Sequence, residues 1–278
     1  MNLLQALILG IVEGLTEFLP VSSTGHLTIV EKLFGLSIDD AGVTAFTAII
    51  QVGAIAAVFV YFQSDIARLA IAWFRGLFHR SARVDPDYRF AWYIIVGSIP
   101  IGIVGFVGKD FIAGSLRNLW IVVAALILWS IVMLVAESVG RHMRTEKEMT
   151  LKDALLIGIV QCIALIPGVS RSGATISAGL FSSFNRVAAT RISFFLSIPA
   201  LTAAGAYEAT TQASAISASV GWLPTIVATV VSFLVAYVAI AWLLRLVARH
   251  SIAVFIGYRV GVAILVAVLL LTGVISAT

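Results

Sequence analysis

Residues 13–26 read Glu-Gly-Leu-Thr-Glu-Phe-Leu-Pro-Val-Ser-Ser-Thr-Gly-His and combine two carboxylates, an imidazole and a run of hydroxyls. Glu13 and Glu17 are four residues apart, which places them on one face of a helix. Pro20 lacks an N–H group and is predicted to end that helix. The hydroxyls after it predict a second, shorter helix, whose free backbone N–H groups can face an anion. We therefore predict a helical break with a polar site beside it.

The composition around this stretch is that of a membrane protein. The chain has 278 residues, of which 60% are hydrophobic and only 12% charged, and its mean hydropathy is +1.07. Soluble domains are about half apolar and a quarter charged, so we predict an all-α polytopic membrane protein embedded in a lipid bilayer. Loop arginines that orient the chain explain the net charge of +4, and no nucleic-acid partner is expected. The single cysteine, Cys162, excludes an intramolecular disulfide.

Two of the apolar segments of the chain are clearly shorter than the others. Segments 22–36 and 172–183 are too short to cross the hydrocarbon, which requires roughly 20 residues. Each follows a segment broken by proline, 2–20 and 152–168 respectively. We predict two re-entrant helical hairpins, because irregular backbone is tolerated at membrane depth where it lines a cavity. The predicted full spans are 43–63, 89–108, 118–138, 192–210, 222–244 and 253–276.

The two halves of the chain resemble each other at an offset of 148 residues. Gly-Ile-Val occurs at residues 10–12 and again at 158–160, and Val-Ser at 21–22 and again at 169–170. At the same offset Glu13 aligns with Gln161, and Ser23 aligns with Arg171.

An odd number of full spans, three, separates the starts of the two halves. We therefore predict inverted-topology repeats, 1–140 and 150–278, within a single membrane domain, 1–278. Inverted repeats with broken helices place a site near the bilayer midplane, where the two hairpin tips meet.

Basic residues are distributed unequally between the two faces of this topology. One face receives only Lys32, Lys109 and Arg117. Because cytoplasmic loops carry the excess of Lys and Arg, we predict that this face is external, together with both termini and the entry of the first hairpin. The other face receives Arg68, Arg75, Arg80, Arg83, Arg89, Arg141, Arg144, Lys147, Lys152, Arg186, Arg191, Arg245 and Arg249.

The second hairpin tip has the composition of a phosphate site. Residues 167–175 read Pro-Gly-Val-Ser-Arg-Ser-Gly-Ala-Thr, with a guanidinium, three hydroxyls and glycines that permit close backbone approach. Arg171 requires a partner at this depth: Glu13, Glu17 or an anionic ligand. Alternatively, it only pairs with a glutamate and locks the halves together. The candidates for holding phosphate are Ser22, Thr24, Gly25, Ser170, Ser172, Gly173 and Thr175.

The first hairpin offers groups for metal binding and for covalent chemistry. Two clustered carboxylates need more than one cation, so we predict a divalent metal on Glu13 and Glu17, with phosphate oxygens completing its shell. Ser23 is a candidate nucleophile, and His26, near it on the following turn, a candidate proton carrier. Helix capping is the alternative role for these serines. His26 is also a candidate nucleophile, and the sequence does not separate the two.

Both stretches, 13–26 and 167–175, closely resemble the undecaprenyl-pyrophosphate phosphatases of the bacitracin-resistance type, without departure at the motif positions. The resemblance implies an integral enzyme of the bacterial plasma membrane that removes the terminal phosphate of the C55 isoprenoid pyrophosphate. It thereby recycles the lipid carrier for cell-wall synthesis and confers bacitracin resistance. The resemblance also implies magnesium or calcium as cofactor, and an active site that opens to the periplasmic or extracellular side. It assigns the activity to Glu13, Glu17, Ser23, His26 and Arg171.

A transporter or flippase for a phosphorylated lipid or an anion is the alternative function. Inverted repeats with re-entrant hairpins are as typical of transporters as of enzymes. A carrier would use the arginine and the helix N-termini, but it would need neither a serine beside a histidine nor a carboxylate pair. A homodimer is compatible with the sequence.

Overall fold

A computed structural model describes residues 1–38, 40–114, 116 and 118–277 of the chain. The regular secondary structure of these residues is helical, and six of the helices are long and apolar enough to cross a membrane. They coincide with the six predicted full spans to within a few residues at most ends. Arg117, predicted to lie on the less basic face, and Thr278, the end of the predicted domain, are outside the described residues.

The first half begins with two short helices joined by a turn. The first helix starts at a capping box between Asn2 and Gln5 and ends at Thr16, four residues before Pro20. Glu17 still has helical backbone angles, and its N–H donates to the Glu13 carbonyl at 2.9 Å. The helices of this half are α1 (Leu3–Thr16), α2 (Ser23–Leu33), α3 (Ala41–Tyr61), α4 (Gln63–Phe78), α5 (Pro86–Val107), α6 (Lys109–Ala113) and α7 (Leu119–Val139).

The second half also begins with two short helices joined by a turn. Its first helix also starts at a capping box, between Thr150 and Asp153, and a 3-10 turn, Cys162–Leu165, follows it. The helices of this half are α8 (Leu151–Gln161), α9 (Arg171–Phe181), α10 (Arg186–Thr211), α11 (Ala213–Ser219), α12 (Trp222–Val247) and α13 (Val254–Leu271).

The first helix of each half packs against a long helix of the other half. Helix α1 lies against α12, and α8 lies against α5. A Cβ atom at Gly10 would lie 2.5 Å from the Ala228 carbonyl oxygen, and one at Gly158 would lie 2.2 Å from the Gly97 carbonyl oxygen. Only glycine permits such close backbone approach, which is typical of packed membrane helices.

The two hairpins meet in the centre of the helical bundle. Helix α9 packs against α7, α8 and α10, while α3 and α10 pack against each other. Phe18, in the turn after α1, contacts Phe194 of α10 edge to face, with ring centroids 5.2 Å apart. Large apolar side chains on the outer faces, such as Leu128 and Val238, stay exposed. This arrangement suits a bundle that is surrounded by lipid.

The polar linker between the halves is tied to the second hairpin. Arg144 donates to a carboxylate oxygen of Asp153 at 2.6 Å and to the Ser182 carbonyl at 2.9 Å. These contacts connect the start of α8 to the end of α9.

Candidate active site

Each hairpin tip places a serine in an unusual backbone conformation before its second helix. Ser22 has φ 78° and Ser170 has φ 80°, values that side-chain-bearing residues rarely adopt. The Ser22 hydroxyl accepts the Gly25 N–H at 3.3 Å, and the Ser170 hydroxyl accepts the Gly173 N–H at 3.1 Å. Both serines therefore cap helices. Such strain is concentrated at functional sites.

Direct hydrogen bonds join the first tip, residues 17–22, to the second tip, residues 162–170, and to the start of α9. The Ser22 hydroxyl also accepts the N–H of Gly168 at 3.0 Å. From the start of α9, Ser172 donates to the Leu19 carbonyl at 2.9 Å. The structure thus brings the two predicted polar stretches together.

The Glu17 carboxylate lies at the centre of the site. Its Oε2 accepts the Ser23 hydroxyl at 2.5 Å, and its Oε1 accepts Nη2 of Arg171 at 3.0 Å. The side chains of Glu17 and Arg171 are only 4% and 9% exposed. Glu17 is therefore the glutamate that pairs with Arg171.

Two of the three guanidinium nitrogens of Arg171 donate hydrogen bonds to the protein. Its Nη1 donates to the Ser193 carbonyl at 3.1 Å, and the guanidinium carbon lies 5.6 Å from the ring centre of Phe18. The buried Nε has no hydrogen-bond partner in the described part of the chain. A guanidinium held on one edge can present its remaining donor to an anionic oxygen.

The His26 ring is held at both nitrogens. Nδ1 lies 2.7 Å from the Ser22 carbonyl, and Nε2 lies 2.8 Å from the Tyr258 hydroxyl. A carbonyl can only accept, so Nδ1 carries the proton and Nε2 accepts from Tyr258. Between Ser23 and His26, which were predicted to exchange a proton, the structure contains no hydrogen bond. Glu17 occupies that position beside Ser23.

The remaining predicted phosphate ligands mostly make contacts within the protein. Thr175 donates to the Ser193 hydroxyl at 2.7 Å, and the Ser170 and Ser172 hydroxyls lie 3.1 Å apart. A Cβ at Gly173 would lie 3.2 Å from that of Ser170, and Gly25 is comparably crowded. These groups shape the two helix starts, whereas Thr24 is only partly buried.

Comparison with known proteins identifies the family of this chain. Residues 6–265 match the family described as bacitracin resistance protein BacA. The chain belongs to this family. It is 62% identical to a Frankia casuarinae protein named undecaprenyl-diphosphatase 3 and 57% identical to the undecaprenyl-diphosphatase of Cutibacterium acnes, over the full length of both chains in each case. A Mycobacterium undecaprenyl-diphosphatase is 48% identical, again over the full length of both.

The carboxylates of this BacA-family chain fit a divalent cation. Glu13 is fully buried, interacts with the Glu17 carboxylate, and has no hydrogen-bond partner for either of its side-chain oxygens within the described residues. No group of three or more His, Cys, Asp or Glu side chains able to hold a metal occurs in that part of the chain. Two carboxylates, with phosphate and water oxygens as further ligands, are a normal set for magnesium.

Two residues of the site, Tyr258 and Arg259, are absent from the sequence-based interpretation. Both lie on α13, more than 230 residues after His26. Arg259 is completely buried, and it donates to the Pro20 carbonyl of the first tip and the Gly168 carbonyl of the second at 3.0 and 2.9 Å. An arginine inside an apolar span is itself a signal of function, and it could have revealed this contact.

Proposed function

We propose that this chain hydrolyses undecaprenyl pyrophosphate to undecaprenyl phosphate and inorganic phosphate. The observation that supports this most strongly is the arrangement around Glu17, with Ser23 on one carboxylate oxygen and Arg171 on the other. It combines a hydroxyl, a proton acceptor and an anion-binding cation in one buried place. Full-length relatives that are named undecaprenyl-diphosphatases support the same reaction.

Ser23 is the proposed nucleophile and Glu17 its base. Oε2 of Glu17 accepts the hydroxyl proton while the serine oxygen attacks the distal phosphorus. The bond between that phosphorus and the bridging oxygen breaks, and undecaprenyl phosphate leaves. The oxygen of a water molecule then bonds to the phosphorus of the phosphoserine, and the bond to the serine oxygen breaks. The serine oxygen takes back the proton from Glu17, and inorganic phosphate leaves. His26 is disfavoured as the nucleophile, because its Nε2 already accepts from Tyr258.

Arg171 and the start of α2 are proposed to hold the transferred phosphoryl group. The Nε of Arg171, which has no partner among the described residues, and the N–H groups of α2 ahead of Gly25, which have no intrahelical acceptor, can donate to its equatorial oxygens. Catalysis of phosphoryl transfer consists largely of such positioning and charge stabilisation. Because Glu17 fixes one edge of the guanidinium, the donors are oriented before substrate binds.

Glu13 and Glu17 are the residues proposed to hold magnesium or calcium. The two unpartnered oxygens of Glu13 would hold the ion, and Glu17 lies beside them. When bound, the cation offsets the charge of the pyrophosphate and of the two carboxylates.

Inverted repeats with re-entrant hairpins are the proposed finer architecture. The reciprocal packing of α1 on α12 and of α8 on α5 supports it, as do the matching conformations of Ser22 and Ser170. With the basic face in the cytoplasm, both termini and the opening of the site would lie outside the plasma membrane.

The reaction can be tested with purified protein in detergent. Release of phosphate from a polyprenyl pyrophosphate is measured with magnesium or calcium added and with a chelator in their place. We expect release only with the cation, and none from the Ser23→Ala variant. A folded wild-type protein that releases no phosphate under any of these conditions would refute the enzymatic function. The alternative function, a transporter, would then remain, and transport by the same protein in vesicles would test it.

A further inference from the structure

Arg259 connects both hairpin tips to the body of the protein. It lies on α13, its side chain is fully buried, and it makes five hydrogen bonds within the bundle. Nη1 donates to the Pro20 carbonyl at 3.0 Å, and Nη2 donates to the Gly168 carbonyl at 2.9 Å. Nε donates to the Ser130 hydroxyl of α7 at 3.0 Å. Longer bonds from Nη2 reach the carbonyls of Ala125 and Leu126 at 3.5 and 3.4 Å.

All five acceptors are neutral oxygens, which distinguishes Arg259 from Arg171. A charge buried at membrane depth is costly and is retained where it has a function. For helix packing alone, an apolar side chain of similar volume would serve as well or better. The bonds of Arg259 to the tip carbonyls therefore indicate a function other than stabilising the fold.

The two tip carbonyls lie next to the reacting groups in the sequence. Pro20 precedes Ser23 by three residues, and Gly168 precedes Arg171 by three residues. The N–H of Gly168 also donates to the Ser22 hydroxyl, so Arg259 and Ser22 hold opposite sides of the same peptide segment. A displacement of one tip would move Ser23 relative to Arg171.

We propose that Arg259 is a positioning residue that fixes the spacing of the two tips, and hence of Ser23 and Arg171, for phosphoryl transfer. This inference rests on the proposed function. A planar guanidinium has donors in a rigid fork that can bind two carbonyls from separate segments, together with a third acceptor. A lysine ammonium is a single point charge and cannot bind both tips in that way.

The test compares Arg259→Lys and Arg259→Ala with the wild-type protein. The values of kcat and KM for a short-chain polyprenyl pyrophosphate are measured in one detergent, together with the melting temperature. We expect kcat to fall by about 100-fold in both variants, the scale of a misplacement near 1 Å, while KM changes little. Arg245→Lys, at an exposed site on α12, is the matched control and should keep full activity.

Chemical rescue separates positioning from folding. Ethylguanidinium added to Arg259→Ala should restore part of the lost kcat, whereas ethylammonium, which carries the same charge without the fork, should not. If the alanine variant does not fold, the lysine variant provides the kcat and KM comparison alone. Full kcat in Arg259→Lys, a loss confined to KM, or equal rescue by both cations would overturn the inference.

A distance measurement keeps this inference separate from the proposed reaction. Spin labels at Leu19→Cys and Ile166→Cys, in a Cys162→Ala background, report the separation of the tips without any turnover. We expect one narrow distance distribution with Arg259 and a broader one with Arg259→Lys. An unchanged distribution would refute the positioning role, whereas an inactive wild-type protein with a changed distribution would refute only the proposed function.

Discussion

The two hairpins have the same backbone plan but different chemistry. Ser22 and Ser170 share a φ angle near 80° and cap their helices in the same way. Of the groups around Glu17, however, the first hairpin supplies the carboxylate and the hydroxyl, and the second supplies the guanidinium. The serine cap and the following glycine determine the shape of each tip, and the neighbouring side chains determine its charge.

The difference at equivalent positions shows why the hairpins depend on each other. Glu17 corresponds to Leu165 at the offset of 148 residues, and Ser23 corresponds to Arg171. Taken alone, the first hairpin would bury the Glu17 carboxylate, and the second would bury the Arg171 guanidinium. These two charges compensate each other across the boundary between the halves, which links assembly of the fold to assembly of the site.

The largest expected effect is at Ser23, whose equivalent position in the second hairpin is Arg171. Ser23→Ala should lower kcat by at least about 10⁴-fold, because no other group takes over the role of a lost nucleophile. The rate of phosphate release at saturating substrate gives kcat for both proteins. Ser182→Ala is a suitable control, since it removes a hydroxyl that donates to the Ala178 carbonyl of its own helix, at 3.0 Å, rather than to Glu17. Substantial activity in Ser23→Ala would exclude the serine and return His26 as the candidate.

Exchanging the charges of Glu17 and Arg171 tests whether an ion pair between the hairpins is sufficient for activity. Glu17→Gln should lower kcat by about 10²–10⁴-fold, because an amide does not accept the serine proton. The double variant Glu17→Arg with Arg171→Glu restores a pair of opposite charges. It should recover part of the melting temperature that Glu17→Gln loses, but none of the activity. Recovery of turnover would show that Glu17 contributes charge balance rather than base catalysis.

Glu13→Gln makes the first hairpin resemble the second at this position, where Gln161 stands. We expect the response of phosphate release to magnesium to weaken, with a loss of about 100-fold at saturating substrate. Gln161→Leu is the matched control, because neither polar atom of that amide has a partner among the described residues. A Glu13→Gln variant with an unchanged magnesium titration would contradict metal binding by Glu13.

A smaller effect is expected at Tyr258, which supports only the first hairpin. Tyr258→Phe removes the hydroxyl from Nε2 of His26, a bond at 2.8 Å. Loss of one such bond is worth about 1 kcal/mol, so kcat should fall about fivefold. The pH profile of kcat should change as well, since Nε2 becomes free to bind a proton. An unaltered profile would show that Tyr258 does not control His26.

The smallest effect concerns the starts of the hairpins. Burial opposes ionisation of Asp153, but hydrogen bonds from Arg144 and Thr150 outweigh it and hold the pKa of Asp153 below its usual range. The bonds therefore stabilise the fold at neutral pH, and the gain is lost as pH falls below about 4 through the folded-state pKa.

Asp153→Asn should cost about 1 kcal/mol at pH 7 and much less at pH 3, as measured by denaturant unfolding. Gln5, at the equivalent position of α1, is uncharged. Gln5→Ala should therefore show no such dependence on pH, and equal pH dependence in the two variants would contradict this assignment.

Much of the fold could be predicted because the membrane leaves few alternatives. Hydropathy predicted the six long helices, and the short segments after Pro20 and Pro167 predicted α2 and α9. The sequence predicted that Arg171 needs a partner at that depth and left Glu13, Glu17 and an anionic ligand open. In the structure its partner is Glu17.

Contacts of α13 with the tips could not be read from local patterns. Tyr258 and Arg259 reach the site from more than 230 residues away in the chain, and hydropathy does not give the rotation of a helix. The direction of the His26 ring depends on Tyr258. Spacing along α2 placed Ser23 and His26 one turn apart. It did not show that Nε2 of His26 is bonded to Tyr258. The structure thereby favours Glu17 as the partner of the serine.

The dual role of the Ser22 hydroxyl has a consequence for biosynthesis. It accepts one N–H from its own helix and one from Gly168, a residue made 146 positions later. The ribosome adds about 5–20 residues per second, so the first hairpin waits several seconds or more before its partner emerges. Arg259 follows later still. During that interval the polar groups of the nascent tip must bind water, lipid headgroups or the insertion machinery. Insertion of the final helix is therefore the step that completes the enzyme.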